Sequence, residues 1–554
     1  MYILGITSPI HWNSAAALVK DGVLLACAEE ERFNRVKHAP RTLPVQAIAY
    51  CLQAAGITLD QVDYIAVGGR DVAAVAGFVF LQSIFEGRFV NAFGTLGGSF
   101  EQWILEYRAK HSIARQLTQG ARGPRWAFLS HHVAHAASAY YCSGFDKANL
   151  LTLDGNGEAD AGYLGIGDGA RIRRFEKVLP RDSLGYFYGH VTDLLGFRSH
   201  SEEGKTMGLA GWGDPLDDLH DVILFTDTKY RIHRNSVRRL FKTYGPPRRS
   251  NQELTAQNRN FAASAQRALE RAGVTLARRL HRISPETRWC MAGGVALNCD
   301  MNARILFEPF VEQLFIQPAA HDGGTAVGAA MALNARLNGV SSFVMPHAYW
   351  GPEYTNEEIA AVLEEAKVPY ERCQDIESEV AARLARGQIV GWFQGRMEIG
   401  PRALGNRSIL ANPSDPSMKD RVNQDVKHRE MWRPFAPSVL AECATEYFEG
   451  ARPSPFMLLT FTVKSSKRAA LASAIHVDHT ARVQTVTREA NPRFYRLIQQ
   501  FGRLTGVPAV LNTSFNDKGE PLVASPRDAL RTFYATGLDA LAIGDFLLTK
   551  PCIS

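Results

Sequence analysis

Residues 150–169 read LLTLDGNGEADAGYLGIGDG. Leu150 to Leu153 is a short apolar strand that runs into Asp154-Gly155-Asn156-Gly157-Glu158, after which Gly162 to Ile166 returns and Gly167-Asp168-Gly169 turns again. This spacing predicts a hairpin that opens a sheet at a polar, glycine-rich corner. The N-terminus carries the same pattern. Residues 2 to 7 form an apolar strand, followed by Ser14 to Val19, the turn Lys20-Asp21-Gly22 and the strand Val23 to Ala28. The architecture therefore repeats itself.

Two later junctions extend the pattern. Trp289 to Ala292 leads into Gly293-Gly294-Val295-Ala296-Leu297-Asn298, and Leu314 to Gln317 leads into His321-Asp322-Gly323-Gly324 before a helix over Thr325 to Leu337. Glycines at such corners let backbone amides approach a ligand, and the helix N-terminus that follows attracts phosphate. Either corner alone reads equally as a space-saving turn. Together with the Asp154 corner they predict a nucleotide cleft in an α/β fold of the duplicated actin and hexokinase type, an inference by analogy.

A chain of 554 residues is too long for one core, so two large domains are expected. Serine, proline and glycine interrupt the patterning between Asn338 and Pro352, which places the domains at 1–345 and 350–554. Beyond that point Thr355 and Glu358 have capping-box spacing, Gln388 to Phe393 is a buried strand, and Ala509 to Leu511, a helix opened by Ser525-Pro526 and a strand pair around Gly544 close the chain. With 46% apolar residues, 21% charged residues and a net charge of +6, the composition is that of a soluble enzyme and argues against a nucleic-acid partner. The eight cysteines form no CxxC pair, consistent with a reducing cytoplasm. The most apolar segment, Val72 to Leu81, is too short to span a bilayer, so no membrane partner is expected.

Two constellations carry chemistry. From Gly400 to Pro437, Arg402, Arg407, Lys427, Arg429 and Arg433 stand among glycines, prolines and aromatics, a setting suited to gripping a small anion. A solvated basic surface is the alternative. In SHHVAHAASAYY, His131 and His135 are four apart and share one helix face, while His132 points elsewhere. Packed histidines are commoner than ligands, but Asp154 and Asp322 each sit at a sheet-end corner that could face the histidine helix. Mixed imidazole and carboxylate ligation suits iron, manganese or zinc.

These residues lie within blocks that resemble a known family. AEEERF at 28–33, HHVAHAASAYY at 131–141, EEGKTMGLAGWG at 202–213, AGGVALN at 292–298, GPRALGNRS at 400–408, WRPFAPS at 432–438 and LNTSFNDKGEP at 511–521 make the chain similar, over essentially its full length, to the O-carbamoyltransferases of antibiotic and nodulation-factor biosynthesis. The resemblance implies a TsaD-like N-terminal domain of the actin/hexokinase (ASKHA) class and a C-terminal domain resembling YrdC. It further implies use of carbamoyl phosphate and ATP, with magnesium as a further ion, formation of carbamoyl adenylate in the second domain, and delivery of the carbamoyl group to a hydroxylated small molecule in the first. A homodimer is compatible with it.

Carried over by motif position, Arg402, Lys427, Arg433, Arg482 and Ser514 are the carbamoyl phosphate site, and His131, His135, Asp154 and Asp322 hold the divalent metal, iron first. Gly155, Lys205, Gly293, Gly294 and Asn298 are the nucleotide contacts, although Lys205 could instead cover a glutamate. His11, Lys37 and His38 are candidates to take the acceptor proton. Arg407 and Arg429 stay open between the site and pairing with Glu398, Asp425 or Glu430. One departure is the sequence His11-Trp12-Asn13-Ser14, in which Trp12 replaces a small acidic or amide residue and reshapes the expected acceptor contacts. Two insertions, Val72 to Trp103 and Thr228 to Asn251, are free to set acceptor specificity, or simply to pack and to be solvated. Transfer to tRNA or to a maturation protein, and a non-catalytic actin-like ATP-binding role, are the alternatives.

Overall fold

The computed structural model describes residues 1–8, 12–70, 123–216, 219–339 and 343–550. Its first sheet contains β1 (Tyr2–Thr7), β2 (Ala15–Lys20), β3 (Val23–Glu29), β4 (Tyr64–Gly68) and β5 (Arg125–Phe128) in the order 3-2-1-4-5. β1, β2 and β3 form an antiparallel meander, and β4 and β5 add in parallel. The second sheet repeats this. β6 (Lys147–Gly157), β7 (Asp160–Asp168) and β8 (Arg171–Val178) form the meander, a separate ribbon of β9 (Ile223–Phe225) and β10 (Tyr230–Ile232) follows, and β11 (Arg288–Ala292) and β12 (Gln313–Ile316) then add in parallel beside β6. The chain therefore passes twice through one topology, which is the duplicated actin/hexokinase-like arrangement. Both expected hairpins are present.

The Asp154 corner differs from expectation. Instead of ending at Leu153, β6 continues to Gly157, and its register against β7 slips between those residues. Asp154 thus sits in a bulge, where the unpaired stretch turns its side chain out of the ladder. The expected simple turn is replaced because Gly157 still pairs with Asp160.

Between the sheets, the helices His131–Ser143 and Gly324–Asn338 pack at very short range. A Cβ on Gly328 would lie 1.7 Å from the Ala134 carbonyl oxygen, and one on Gly5 of β1 would lie 1.9 Å from that of Ala326. Only glycine permits this approach, which brings the start of one helix, with His131 and His135, beside the start of the other, with Asp322.

The third sheet has eight strands. They are β13 (Glu371–Arg372), β14 (Val390–Phe393), β15 (Arg407–Ala411), β16 (Ala436–Leu440), then, after a ribbon of β17 (Thr460–Thr462) and β18 (Thr480–Arg482), β19 (Gln484–Val486), β20 (Ala509–Ser514), β21 (Ala540–Ile543) and β22 (Phe546–Thr549), in the order 13-22-21-14-15-20-16-19. Side chains alternate between its faces. Val390, Trp392, Leu410 and Val510 pack under the helices Ile376–Ala385 and Pro492–Thr505. Phe393, Ile409, Leu511 and Ile543 pack under Asn356–Glu365 and Pro526–Ala535, both opened by capping boxes at Thr355/Glu358 and Ser525/Asp528.

The AEEERF block joins the two halves. Arg32 pairs with Glu29 at 3.1 Å and Glu31 at 2.8 Å and donates to the Gly400 carbonyl at 2.7 Å, while the Gly400 N–H donates to Glu29 at 2.8 Å. Arg35 donates to the carbonyls of Leu522 and Pro521. A buried ion network is held in place here by backbone groups more than 350 residues away, which fixes the loop that presents Arg402.

Candidate functional site

One cavity of about 1500 Å³ is lined from both halves of the chain. Its wall includes Trp12, Lys37, His38, Asp154, Lys205 and Asp322 from the N-terminal part, and Arg402, Lys427, Arg433, Arg482 and Ser514 from the C-terminal part.

Behind the two aspartates lie the paired histidines, both fully buried. His131 Nε2 is 3.1 Å from Asp154 Oδ2 and 3.6 Å from Asp322 Oδ1, and His135 Nε2 is 3.3 and 3.5 Å from the same oxygens. The two Nε2 atoms are 3.1 Å apart. Gly157 is needed here because a Cβ on it would meet His131 Cδ2 at 2.1 Å. Asp154 is oriented by the N–H groups of Gly155 (2.8 Å) and Gly294 (3.2 Å), which donate to Oδ1 and leave Oδ2 for the histidines. All four donor atoms lie within 4.8 Å of one another. Two imidazole nitrogens this close need a proton or a cation between them. Although burial opposes a charge on His135, hydrogen bonds to Asp154 and Asp322 raise it to about 9. The donor set, two nitrogens and two carboxylate oxygens converging on a point, fits a divalent transition metal and does not choose among iron, manganese and zinc. His132 turns away, as its helix position predicts, toward the Asp160 carbonyl at 2.8 Å, and burial lowers it to about 3.

The basic cluster divides in two. Arg407 is wholly buried, donates to the carbonyls of Gln394, Asn406 and Pro352 and lies 3.7 Å over the Phe393 ring, so it is a structural member of the core. Arg429 is likewise used, by Asn423 at 2.6 Å and the Phe435 ring. Arg402 and Arg482 are different. Each has a buried Nε without an acceptor, as Arg407 has, but unlike Arg407 neither makes a side-chain hydrogen bond or an ion pair among the described residues. Burial, then the charge of Arg482, pushes Arg402 down to about 9. Arg433 is held low by burial, with Glu430 3.9 Å away and Glu202 opposing the shift. Lys427 is gripped by Ser514 and Asn516, with Nζ 2.9 Å from the Ser514 carbonyl and 2.7 Å from Asn516 Oδ1, and burial with Arg429 and Arg433 holds it well below the ordinary ammonium range. A buried cation group without a counter-charge is costly unless an anion completes it.

The remaining expected residues fall as follows. Gly155, Gly294 and Asn298 line the cavity, whereas Gly293 packs behind it, with a φ of 94° and its Cα face on the Leu153 carbonyl. The Asn298 amide is already occupied, capping Met301 N and pairing reciprocally with Gln266 at 2.9 Å. Lys205 bridges Glu202 (2.8 Å) and Glu430 (2.9 Å), the glutamate-covering alternative, and thereby ties the halves together. His38 Nδ1 is 3.0 Å from Asn13 Nδ2, its Nε2 is buried without a partner, and burial lowers its pKa as it does that of Lys37. Trp12 stacks on His200 at 5.5 Å and meets the His38 ring edge-on at 6.3 Å. His11 lies outside the described residues, as does Val72 to Trp103. Sequence reasoning missed His321, which lines the cavity, accepts from Gly323 N at 3.0 Å and is lowered by burial to about 4. It also missed Asn516, whose only signal was its place in the quoted LNTSFNDKGEP block.

Residues 2–331 match the family model for the carbamoyltransferase N-terminus, and residues 381–550 match that for the carbamoyltransferase C-terminus. Nodulation protein NolNO of Sinorhizobium fredii is 38% identical over 99% of this chain and 83% of its own length. An uncharacterized protein of Synechocystis is 39% identical over 99% of this chain and 97% of its own. Among solved structures, full-length HypF in its phosphate- and nucleotide-bound form aligns with 62% of this chain and 56% of that one, at 12% identity and a TM-score of 0.36.

Proposed function

The chain belongs to the carbamoyltransferase family, and from that premise we propose an ATP-dependent O-carbamoyltransferase that acts in the cytoplasm on a hydroxyl of a small antibiotic-like or nodulation-type metabolite. The observation that carries this reading is the single cavity shared by unpaired guanidinium groups and a four-donor cluster.

In this reading the second half, YrdC-like and comprising residues 350–554, binds carbamoyl phosphate. Arg402, Arg433 and Arg482 take the phosphate, with bidentate forks facing its charge. Lys427 holds Ser514 and Asn516 in position, and the Ser514 hydroxyl orients the carbamoyl end. Reaction with ATP gives carbamoyl adenylate, consumes one water and releases phosphate and pyrophosphate. The arginines stabilise the charge that spreads during both departures.

The first half, residues 1–345, then presents the adenylate to the acceptor. Gly155 and Gly294 line the cavity where the nucleotide is received, and their N–H groups hold Asp154 in place. His131, His135, Asp154 and Asp322 would hold a divalent ion, iron first with manganese or zinc as alternatives, which would supply Lewis-acid neutralisation of charge on the departing phosphate. The acceptor oxygen attacks the carbamoyl carbon, AMP leaves, and the hydroxyl proton passes to a base. His38 is suited to this because its buried Nε2 is unbonded and it is neutral at physiological pH. For Nε2 to accept, Nδ1 must carry the hydrogen, which a half-turn of the Asn13 amide provides with no change of shape. Lys37 and His11 are the other candidates.

The test is incubation of the purified chain with carbamoyl phosphate and ATP in the absence of acceptor, followed by mass spectrometry. Carbamoyl-AMP is expected; its absence, with the protein folded and metal-loaded, sinks the adenylate route.

A further inference from the structure

The segment from residue 228 to 251, one of the two insertions, holds eight of the chain's 62 lysines and arginines and none of its 56 acidic residues. The rest of the chain has 54 basic against 56 acidic residues, so the whole net positive charge resides in these two dozen positions. They contain β10 and the helix Ser236–Tyr244.

That helix has one apolar stripe, packed along one edge and exposed along the other. Leu240 is 1% exposed, and the Tyr244 ring stacks at 3.9 Å on Phe261 of the long helix Ala256–Ile283, which fixes the inner face to the body. Val237 and Phe241, also four apart, are 46% and 49% exposed. Arg238 and Lys242 are exposed next to them on the same helix, and Lys229, Arg231 and Arg234 are exposed in the stretch that leads into it. Two members of the set have structural roles. Arg239 donates to the Asp221 carbonyl, and Arg248 donates to the Leu195 carbonyl, holding the segment against the lobe that supplies Arg198 to Lys205 of the cavity wall.

We infer that this face is a peripheral docking surface for an anionic lipid bilayer. A polar ligand alone would not need Val237 and Phe241 in solvent, and an apolar protein partner would not need five exposed cations in the same segment. A bilayer surface takes both, with phosphate headgroups meeting the lysines and arginines and the interfacial acyl region receiving the valine and phenylalanine. The charge is one-signed within the segment, and the neighbouring Asp221, which pairs with Arg239, and the exposed Asp227 offset only part of its eight positive charges. Docking here revises the expectation that no membrane is involved, without any membrane-crossing helix among the described residues.

Vesicle co-sedimentation of the full chain tests this. Vesicles of phosphatidylcholine alone are compared with vesicles containing about 30 mol % phosphatidylserine, enough to give a substantial negative surface potential. The expected result is binding to the anionic vesicles only, weakened by salt. Arg231→Gln, Arg234→Gln, Arg238→Gln and Lys242→Gln combined should lower partitioning by about tenfold or more, and Val237→Ser with Phe241→Ser should lower it several-fold, each with carbamoyl-AMP formation in solution unchanged. Equal binding to neutral vesicles, no vesicle binding, capture by a soluble polyanion such as RNA without vesicle binding, or full binding by the Val237→Ser/Phe241→Ser variant overturns the inference.

Discussion

The His131 cluster and the Arg402 cluster are incomplete in opposite senses. In the first, two carboxylates and two imidazoles converge, and in the absence of a cation they draw a proton onto His135. In the second, burial lowers the pKa of Arg402, Arg429, Arg433 and Lys427 and neighbouring cations lower it further, and Arg402 and Arg482 make no side-chain hydrogen bond or ion pair among the described residues. One set is arranged around a missing positive charge and the other around a missing negative charge, within one cavity. The comparison teaches that electrostatic incompleteness, more than residue type, marks the working groups. Arg407 is as basic as Arg402 and five residues away, yet both of its terminal nitrogens are spent on main-chain carbonyls, leaving only Nε without an acceptor.

If the two clusters divide the labour, breaking one should leave the other's property intact. The largest effect is expected from Arg402→Ala or Arg482→Ala, which should lower carbamoyl-AMP formation on the order of 10²–10³-fold while metal content, read by elemental analysis, is unchanged. His135→Ala or Asp322→Ala should do the reverse. Bound metal should fall to near zero and delivery to an acceptor should stop, with adenylate formation reduced by less than about tenfold. Equal loss of both properties in either variant would erase the distinction.

The proton on His135 makes metal uptake depend on pH. The imidazole must be neutral to ligate, and without metal its pKa is raised to about 9. Below that value each ion bound displaces a proton, so apparent affinity in chelator competition should rise by about tenfold per pH unit from neutrality and level off above about 9. A flat profile would show that His135 is neutral in the apo protein. Gly328→Ala sharpens the point from the packing side. Its Cβ would stand 1.7 Å from the Ala134 carbonyl, so the helices must separate, costing about 1–3 kcal/mol of stability in a denaturant melt and weakening metal retention more than adenylate formation. The smallest effect is expected from Trp12→Ala, a rise of a few-fold in acceptor KM with adenylate formation unaltered, since the ring stacks on His200 and meets His38 edge-on.

How much of this was legible follows from the range of each interaction. Hairpins, caps and the i, i+4 histidine pair are local, and period and turn chemistry exposed them in Ala15–Glu29, Lys147–Asp168, Thr355/Glu358 and His131/His135. The pairing of those histidines with Asp322, nearly two hundred residues on, was readable only because each carboxylate sat at a strand-end corner. The Asp154 bulge was not readable, since the slip depends on how Gly157 is paired. Nor could sequence divide Arg402 from Arg407, or predict that Lys205 would bridge to Glu430 and Arg32 to Gly400, because partners 225 and 368 residues away leave no periodic signal.

The central claim is that Arg402 and Arg482 await the phosphorylated donor in the cavity that the metal cluster shares. A structure of the chain soaked with carbamoyl phosphate tests it most directly. The account predicts the donor phosphate within hydrogen-bond reach of Arg402 Nε and Arg482 Nε, with its carbamoyl end toward Ser514. A donor bound elsewhere, with both guanidinium groups unchanged, would contradict it.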